Sequence, residues 1–252
     1  MEISSRMIDI LHILEKKHSA TVDYLAKQVY SSPSTVRRDL TTLENMGYVR
    51  RFHGGAALTS LPTATLPISY RMRNMSDTKK QIGLTAAQFV HNGDTIFIDS
   101  SSTASAMIPH LANVQRLKVI TNSILAVQQL TEMDIEVYGL GGQLFHRSHA
   151  FVGQFAIDML SNFYFDKMFF STATLTADGI LCDTTELENS LRISALSRSA
   201  FTYFMVDSSK VGSHSMLRLC HLRDLTAVIS DADLPQTIQW EDDYPAFYRA
   251  EL

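Results

Sequence analysis

The residues best suited to chemistry in this 252-residue sequence fall in two places. The first is Ser32-Pro33-Ser34-Thr35-Val36-Arg37-Arg38-Asp39-Leu40. Ser34 and Thr35 carry short hydroxyls that approach a base edge or a phosphate closely. Arg37 and Arg38 carry guanidiniums that pair bidentately with guanine or phosphate. The second is a set of polar turns that follow apolar runs: Asp99-Ser100-Ser101-Ser102-Thr103, Asn122-Ser123, Gly141-Gly142 and Asp207-Ser208-Ser209-Lys210. Hydroxyls and backbone amides at the start of a helix hold a phosphate, and a nearby lysine adds the counter-charge. Two glycines in a row let backbone come close to a ligand.

The elements that must position the first set are readable. Ser32 is a helix cap and Pro33 fits the first helical position, where a missing N–H costs nothing. Val36, Leu40 and Leu43 form one apolar stripe, and the helix should run to about Met46 and stop at Gly47. Ahead of it, Ser4 or Ser5 caps a helix with Met7, Ile8, Ile10, Leu11 and Leu14 inward, closed by Lys16, Lys17 and His18. Thr21 caps a short second helix with Val22, Leu25, Ala26 and Val29 inward, and Tyr30-Ser31 turns into the arginine helix. That order is a helix-turn-helix. After Gly47 the period changes to two, with Gly54-Gly55 as the hairpin signal. This predicts a two-stranded wing, with Arg50, Arg51 and His53 where a wing touches the DNA backbone or minor groove. The competing reading is a solvated helix and an exposed hairpin with incidental charge.

Residues 59–75 hold two prolines and several hydroxyls and read as an extended linker. In residues 76–252 apolar strand-like runs alternate with helical stretches: strands over 95–99, 117–121, 135–139, 167–171, 201–207 and 226–229, helices near 76–90, 103–112, 123–132, 151–162 and 185–199. This implies an α/β domain with a mainly parallel sheet covered on both faces. In such sheets ligands bind outside the carboxyl ends of the strands, where the second polar set falls.

The composition excludes several classes. No apolar run reaches the roughly 18–20 residues of a membrane span, and Met1–Arg6 lacks the basic-then-apolar order of a secretion signal. Cys182 and Cys220 are the only cysteines and sit in no Cys-x-x-Cys pattern, so two free thiols in a reducing cytoplasm are expected. The nine histidines are scattered, and no metal or cofactor is implied. Residues 1–58 carry eight Lys/Arg and six Asp/Glu, residues 59–252 fourteen and twenty, so a basic head precedes an acidic body.

Arg6, Ile10 and Leu14, then Ser32-x-x-Thr35-Val36-Arg37-Arg38-Asp39-Leu40, Leu43, Gly47 and Arg51-x-His53-Gly54-Gly55-Ala56, resemble the head of the DeoR family of bacterial transcriptional regulators. Gly93–Ser100, Val119–Ser123, Gly139–Gly142, Phe165-Asp166-Lys167 and Asp207–Lys210 resemble the family's ligand domain, which is similar to ribose-5-phosphate isomerase. Glu188 and Arg192 match a Glu-x-x-x-Lys pair on a family helix, with arginine for lysine. The resemblance implies a winged helix-turn-helix domain over 1–58, a linker over 59–75 and a sugar-phosphate sensor domain over 76–252.

On this basis DNA contacts are expected from Thr21, Ser32, Ser34, Thr35, Arg37, Arg38, Arg50, Arg51 and His53. Effector contacts are expected from Asp99, Ser100, Ser101, Ser102, Thr103, Thr121, Asn122, Ser123, Gly141, Gly142, Asp166, Glu188, Arg192, Asp207 and Lys210. The implied protein is a cytoplasmic repressor of sugar-metabolism genes, a dimer or tetramer on double-stranded operator DNA, controlled by a phosphorylated sugar and bound to no membrane. The sequence departs from the family at Ser101-Ser102-Thr103, where a glycine then two threonines are usual, and at Ser171–Leu175, which lacks a glycine near Thr174. The catalytic lysine of the isomerases has no match in that second loop, so binding without turnover is expected. The alternatives are an isomerase-like enzyme with an accessory DNA-binding head, and an activator or architectural DNA binder with a vestigial pocket.

Overall fold

Three side-chain hydroxyls start the first three helices. In the computed structural model, which describes residues 3–59, 65–74, 76–234, 238 and 244–250, Ser4 caps α1 (Ser5–Lys17), its Oγ accepting from the Met7 N–H at 3.3 Å. The chain then forms β1 (Ser19–Thr21), and Thr21 caps α2 (Val22–Gln28) by accepting from the Tyr24 N–H at 3.2 Å. Ser32 caps α3 (Pro33–Asn45) by accepting from the Thr35 N–H at 3.2 Å, with Pro33 in the first turn. Strands β2 (Val49–Phe52) and β3 (Gly55–Leu58) follow, then α4 (Ile68–Arg73). Ile10, Leu11, Leu14, Leu25, Val36, Leu40 and Leu43 close the core of this unit. Asp39, on the dry side of α3, accepts from Arg6 Nε at 2.5 Å and from a second guanidinium nitrogen at 3.2 Å. That bidentate pair fixes α3 against α1 and raises the Arg6 pKa.

The wing has three strands, in the order β1-β3-β2. Phe52 pairs with Gly55, so the turn is His53-Gly54, one residue earlier than the glycine pair suggested. Gly54 supplies the positive φ of 79°. Gly55 belongs to β3, where a Cβ would meet the Ala20 carbonyl oxygen of β1 at 2.5 Å. The sequence signal was shared between two glycines with different jobs.

Compact unit 1 extends to Asn74. The linker expectation over 59–75 is therefore corrected for its second half; residues 60–64 and 75 lie outside the described residues. Leu66, Ile68 and Tyr70 are buried, and Tyr70 stacks on His12 of α1 at 4.4 Å between ring centroids. Arg73 donates to Asp9 at 3.0 Å and Ser5 at 3.2 Å, and Asn74 to Glu15 at 3.1 Å. The prolines and hydroxyls suggested an extended tether, but three apolar residues at 66, 68 and 70 give the segment a face to bury.

The second unit opens with α5 (Ser76–Ala87) and then runs through β4 (Thr95–Ile98), α6 (Ser102–Ser105), β5 (Lys118–Thr121), α7 (Ile124–Glu132) and β6 (Glu136–Gly139). The hairpin β7 (Gln143–Phe145) and β8 (Ala150–Val152) leads to α8 (Gln154–Leu160), β9 (Phe165–Phe170), β10 (Thr174–Leu175), β11 (Ile180–Asp183) and α9 (Glu186–Leu196). Then come β12 (Ser199–Val206), β13 (Leu217–His221), β14 (Ala227–Ser230) and β15 (Ala246–Arg249). Seven strands form one sheet in the order β15-β14-β12-β9-β4-β5-β6, every pairing parallel. Ile96 and Ile98 join the cluster on one face and Phe97 the cluster on the other, as alternation along a doubly covered strand requires.

The helix expected over 103–112 is cut short. It ends at Ser105 and a separate 3-10 turn spans Ile108–His110, because Pro109 has no N–H to donate to the Ser105 carbonyl and its ring crowds that oxygen in a continuous helix. The helix expected from 151 starts at Gln154, since β8 occupies the preceding residues. The chain adds β5 and β6 on one side of β4, then β9, β12, β14 and β15 on the other. The order therefore reverses between β4 and β9, and the crevice at their carboxyl ends is the favoured ligand position of the fold.

Candidate functional site

In the first unit the outward residues of α3 group at its N-terminus. Ser32 Oγ lies 2.9 Å from Ser34 Oγ and 2.8 Å from Thr35 Oγ1, so three hydroxyls form one hydrogen-bonded set where the helix begins. Arg37 and Arg38 are exposed and, among the described residues, pair with no carboxylate. Arg50 and His53 are exposed on β2 and at the wing's turn, and Thr21 is exposed at the start of α2. Arg51 is different. Its N–H donates to Glu44 Oε1 at 2.9 Å and its Nη1 to Thr41 Oγ1 at 2.7 Å, so it braces the wing against α3. The structure thus sets Arg51 apart from the outward-facing group.

In the second unit, four strand ends and α9 converge. Asp99, just past β4, holds the Ser101 N–H at 3.0 Å and the Ser101 hydroxyl at 2.5 Å with one oxygen. Ser101 in turn caps α6 through the Ala104 N–H. The other Asp99 oxygen accepts from Arg192 Nε at 2.8 Å. Arg192 Nη1 donates to Asp183 Oδ2 at 2.6 Å. All three side chains are buried, and while burial pushes the Arg192 pKa down, the carboxylates of Asp183, Asp99 and Glu188 more than restore it and raise it above the usual value. Arg192 is a paired, interior cation.

Lys210, beyond β12, donates to Ser171 Oγ at 2.8 Å and Thr103 Oγ1 at 3.1 Å, and stands 3.6 Å from Asp207 Oδ2. It therefore spans the ends of β4 and β9 at the reversal point. Burial works to raise the Asp207 pKa, but Lys210, the Ser209 hydroxyl and Lys79 outweigh it and hold the carboxyl below its usual range. Ser100 is buried just past β4, and Ser102 and Thr103 are buried within α6. Asn122 Nδ2 donates to Phe151 O at 3.2 Å and reaches Ser100 Oγ at 3.4 Å, while its Oδ1 is buried with no hydrogen-bond partner. Thr121 Oγ1 accepts from the Ser123 N–H, and Ser123 caps α7. A buried polar atom left open in this way calls for a partner from outside the chain.

The remaining residues are placed as follows. Gly142 has φ 137° and a Cβ there would meet Val152 O at 2.8 Å, so packing against β8 already requires glycine; Gly141 is exposed. Glu188 accepts from Thr185 Oγ1 at 2.7 Å and lies 3.6 Å from Arg147. Asp166 is a correction. It is the second residue of β9, at the amino end of the sheet, where it is exposed and accepts from the Thr95 N–H at 2.7 Å. Strands that run parallel put all amino ends on the side away from the crevice, so Asp166 does not join the other candidates. Lys167, next to it, is buried and ion-paired with Asp94.

Asp183, Ser171 and Arg147 belong to the constellation and escaped the sequence reading. Asp183 ends β11 ahead of a helix, an acid-at-strand-end signal that was usable once that strand had been recognised. Cys182 is buried and Cys220 partly so; both are free thiols, and burial pushes the Cys220 pKa up to about 12, which leaves it unreactive.

Comparison with known proteins agrees with this division. Residues 6–61 match the DeoR-like helix-turn-helix domain and residues 74–232 the DeoR C terminal sensor domain. A lactose phosphotransferase system repressor of Staphylococcus aureus strain N315 is 30% identical over 95% of this chain and 96% of its own. The transcriptional repressor GlcR of Bacillus subtilis strain 168 is 31% identical over 90% of this chain and 87% of its own. A ribose 5-phosphate isomerase from Methanocaldococcus jannaschii is similar in structure over 54% of each chain, at TM-score 0.40 and 17% identity, too loose a likeness to carry a ligand or a reaction across. Among the described residues, no helix is long and apolar enough to cross a membrane. With a reading head and a sensor domain both matched, the chain belongs to the DeoR family of helix-turn-helix transcriptional regulators.

Proposed function

We propose that the protein is a cytoplasmic repressor of carbohydrate-metabolism genes whose grip on operator DNA is set by a phosphorylated sugar in the second unit. The observation that carries this reading is Lys210, a cation bridging Thr103 and Ser171 across the reversal point of a parallel sheet. Arg192 is held by two carboxylates at hydrogen-bond distance, whereas Lys210 faces one, Asp207, at 3.6 Å, so an incoming phosphate would take its charge from Lys210 and its hydrogen bonds from the Ser100–Thr103 turn. Asn122, with an open carbonyl oxygen, is suited to a sugar hydroxyl. The ligand alters DNA binding only through different affinities for the two DNA-binding states. Arg37, Arg38, Ser34 and the wing's Arg50 and His53 form the reading surface. One small head buries too little for tight specific binding, so a dimer or tetramer is the working species. Turnover is not expected, since Asp166 and Lys167 stand at the far end of the sheet.

The test is a thermal-shift screen of the full chain against pentose and hexose phosphates and their unphosphorylated sugars. At least one phosphate should raise the melting temperature, its parent sugar should not, and Lys210→Met should abolish the shift without lowering the unliganded value by more than a few degrees. No response to any phosphate, or an undiminished response in Lys210→Met, would overturn the assignment.

A further inference from the structure

We infer that Tyr30 is a DNA-contact residue, its phenol hydroxyl donating to a backbone phosphate at the rim of the groove that α3 enters. The inference rests on the head's role as a DNA reader and adds a residue that no motif marks.

Tyr30 closes α2. The Val29 N–H bonds to Leu25 O at 2.9 Å and the Ser31 N–H reaches back to Ala26 O at 3.0 Å. This is the Schellman closure, in which the residue after the cap takes left-handed backbone. Tyr30 does so with φ 50°. Glycine is the unstrained occupant of that position, and a bulky residue there is an outlier with a conformational cost. Such cost is usually met by packing, but the Tyr30 ring is 97% exposed. It has no ring, cation or hydrogen-bond partner among the described residues, whereas Tyr24 lies under Lys17 and Tyr70 stacks on His12. The fold therefore holds a strained, wholly solvated phenol two residues before Ser32, which caps the reading helix. The N-terminal residues of a recognition helix are those that meet DNA. A tyrosine beside them is within the set of side chains that bind phosphate oxygens without reading sequence.

The experiment uses the full chain and a duplex selected by the wild type from a random-sequence library, with a scrambled duplex beside it, titrated over a range of salt. Tyr30→Phe and Tyr30→Gly should each weaken binding to both duplexes about tenfold, the worth of one hydrogen bond to a charged acceptor. The salt dependence should stay unchanged, because a phenol neutralises no phosphate. Tyr30→Gly should melt no lower than the wild type, since glycine relieves the backbone. Wild-type affinity in Tyr30→Phe overturns the inference and leaves the ring free for a protein partner. A loss confined to the selected duplex overturns the phosphate contact, and a lower melting temperature in Tyr30→Gly makes the ring structural. If Arg37→Ala with Arg38→Ala still binds the selected duplex as the wild type does, the head itself is misassigned, a failure distinct from that of Tyr30 alone.

Discussion

Arginine does two opposite jobs in this protein. On α3, Arg37 and Arg38 stand in solvent with no acidic partner among the described residues. Under the second unit's crevice, Arg192 is buried between Asp99 and Asp183 at 2.8 and 2.6 Å. An unpaired surface cation contributes little to folding and keeps its charge available to an external polyanion. An interior cation with two carboxylates is committed, because removing it strands two buried charges. The difference teaches that the charge a ligand can use is the one the fold has not already neutralised.

The comparison can be broken most decisively at Arg192. Arg192→Leu should cost roughly 3–5 kcal/mol of the second unit's stability by denaturant titration, and Arg192→Lys appreciably less; a loss no larger than that of a surface site would show that the triad is not structural. Next, Arg37→Ala with Arg38→Ala should abolish selective duplex binding and lower the salt slope by about two, while stability stays within about 0.5 kcal/mol. A substantial loss of stability would mean that these guanidiniums hold the fold after all. Between the two extremes lies Arg6, half in solvent and half on Asp39. Asp39→Asn should destabilise the head by about 1–3 kcal/mol, as for hydrogen bonds to charged groups, read from its own melting step.

The smallest effect is at His12. Burial lowers its pKa below 6.5, helped by the positive charges of Arg73 and Lys16 and opposed by the carboxylates of Glu15 and Asp9. The neutral ring is the folded form, so the unfolded chain takes up the proton first as pH falls. Stability from this site is complete above 6.5 and declines below it until the folded pKa is passed. The head's melting temperature should drift down on acidification, and His12→Phe, which keeps the ring stacked on Tyr70, should flatten that drift. An unchanged slope would remove His12 from the account.

Much of this was legible in the sequence where a local rule sufficed. Ser4, Thr21 and Ser32 cap the helices they were expected to start, and the six strands read from apolar runs are all in the parallel sheet. What failed to show was set by distant partners. β1 is three residues long and exists through β3; the short β10 and β11 form a small sheet with β13, which comes more than thirty residues later in the chain. The candidate site divided in the same way. Lys210 and the Ser100–Thr103 turn were visible as turn chemistry behind strands. Asp183 was not, because its partner Arg192 lies on the following helix and the second carboxylate, Asp99, is 93 positions from that arginine. Asp166 was placed wrongly although its position at the start of a strand, rather than behind one, was there to be read.

The clasp of Tyr70 on His12 fixes where the head can be severed. A fragment ending at Leu58 would bare the part of the head's core that Leu66 and Tyr70 shield, and a sticky, easily precipitated peptide is the natural result. One ending at Asn74 carries its own shield and the Arg73–Asp9 tie. Anyone grafting this reader onto another sensor would therefore make the splice after residue 74, not at the proline-rich stretch that looks like the seam.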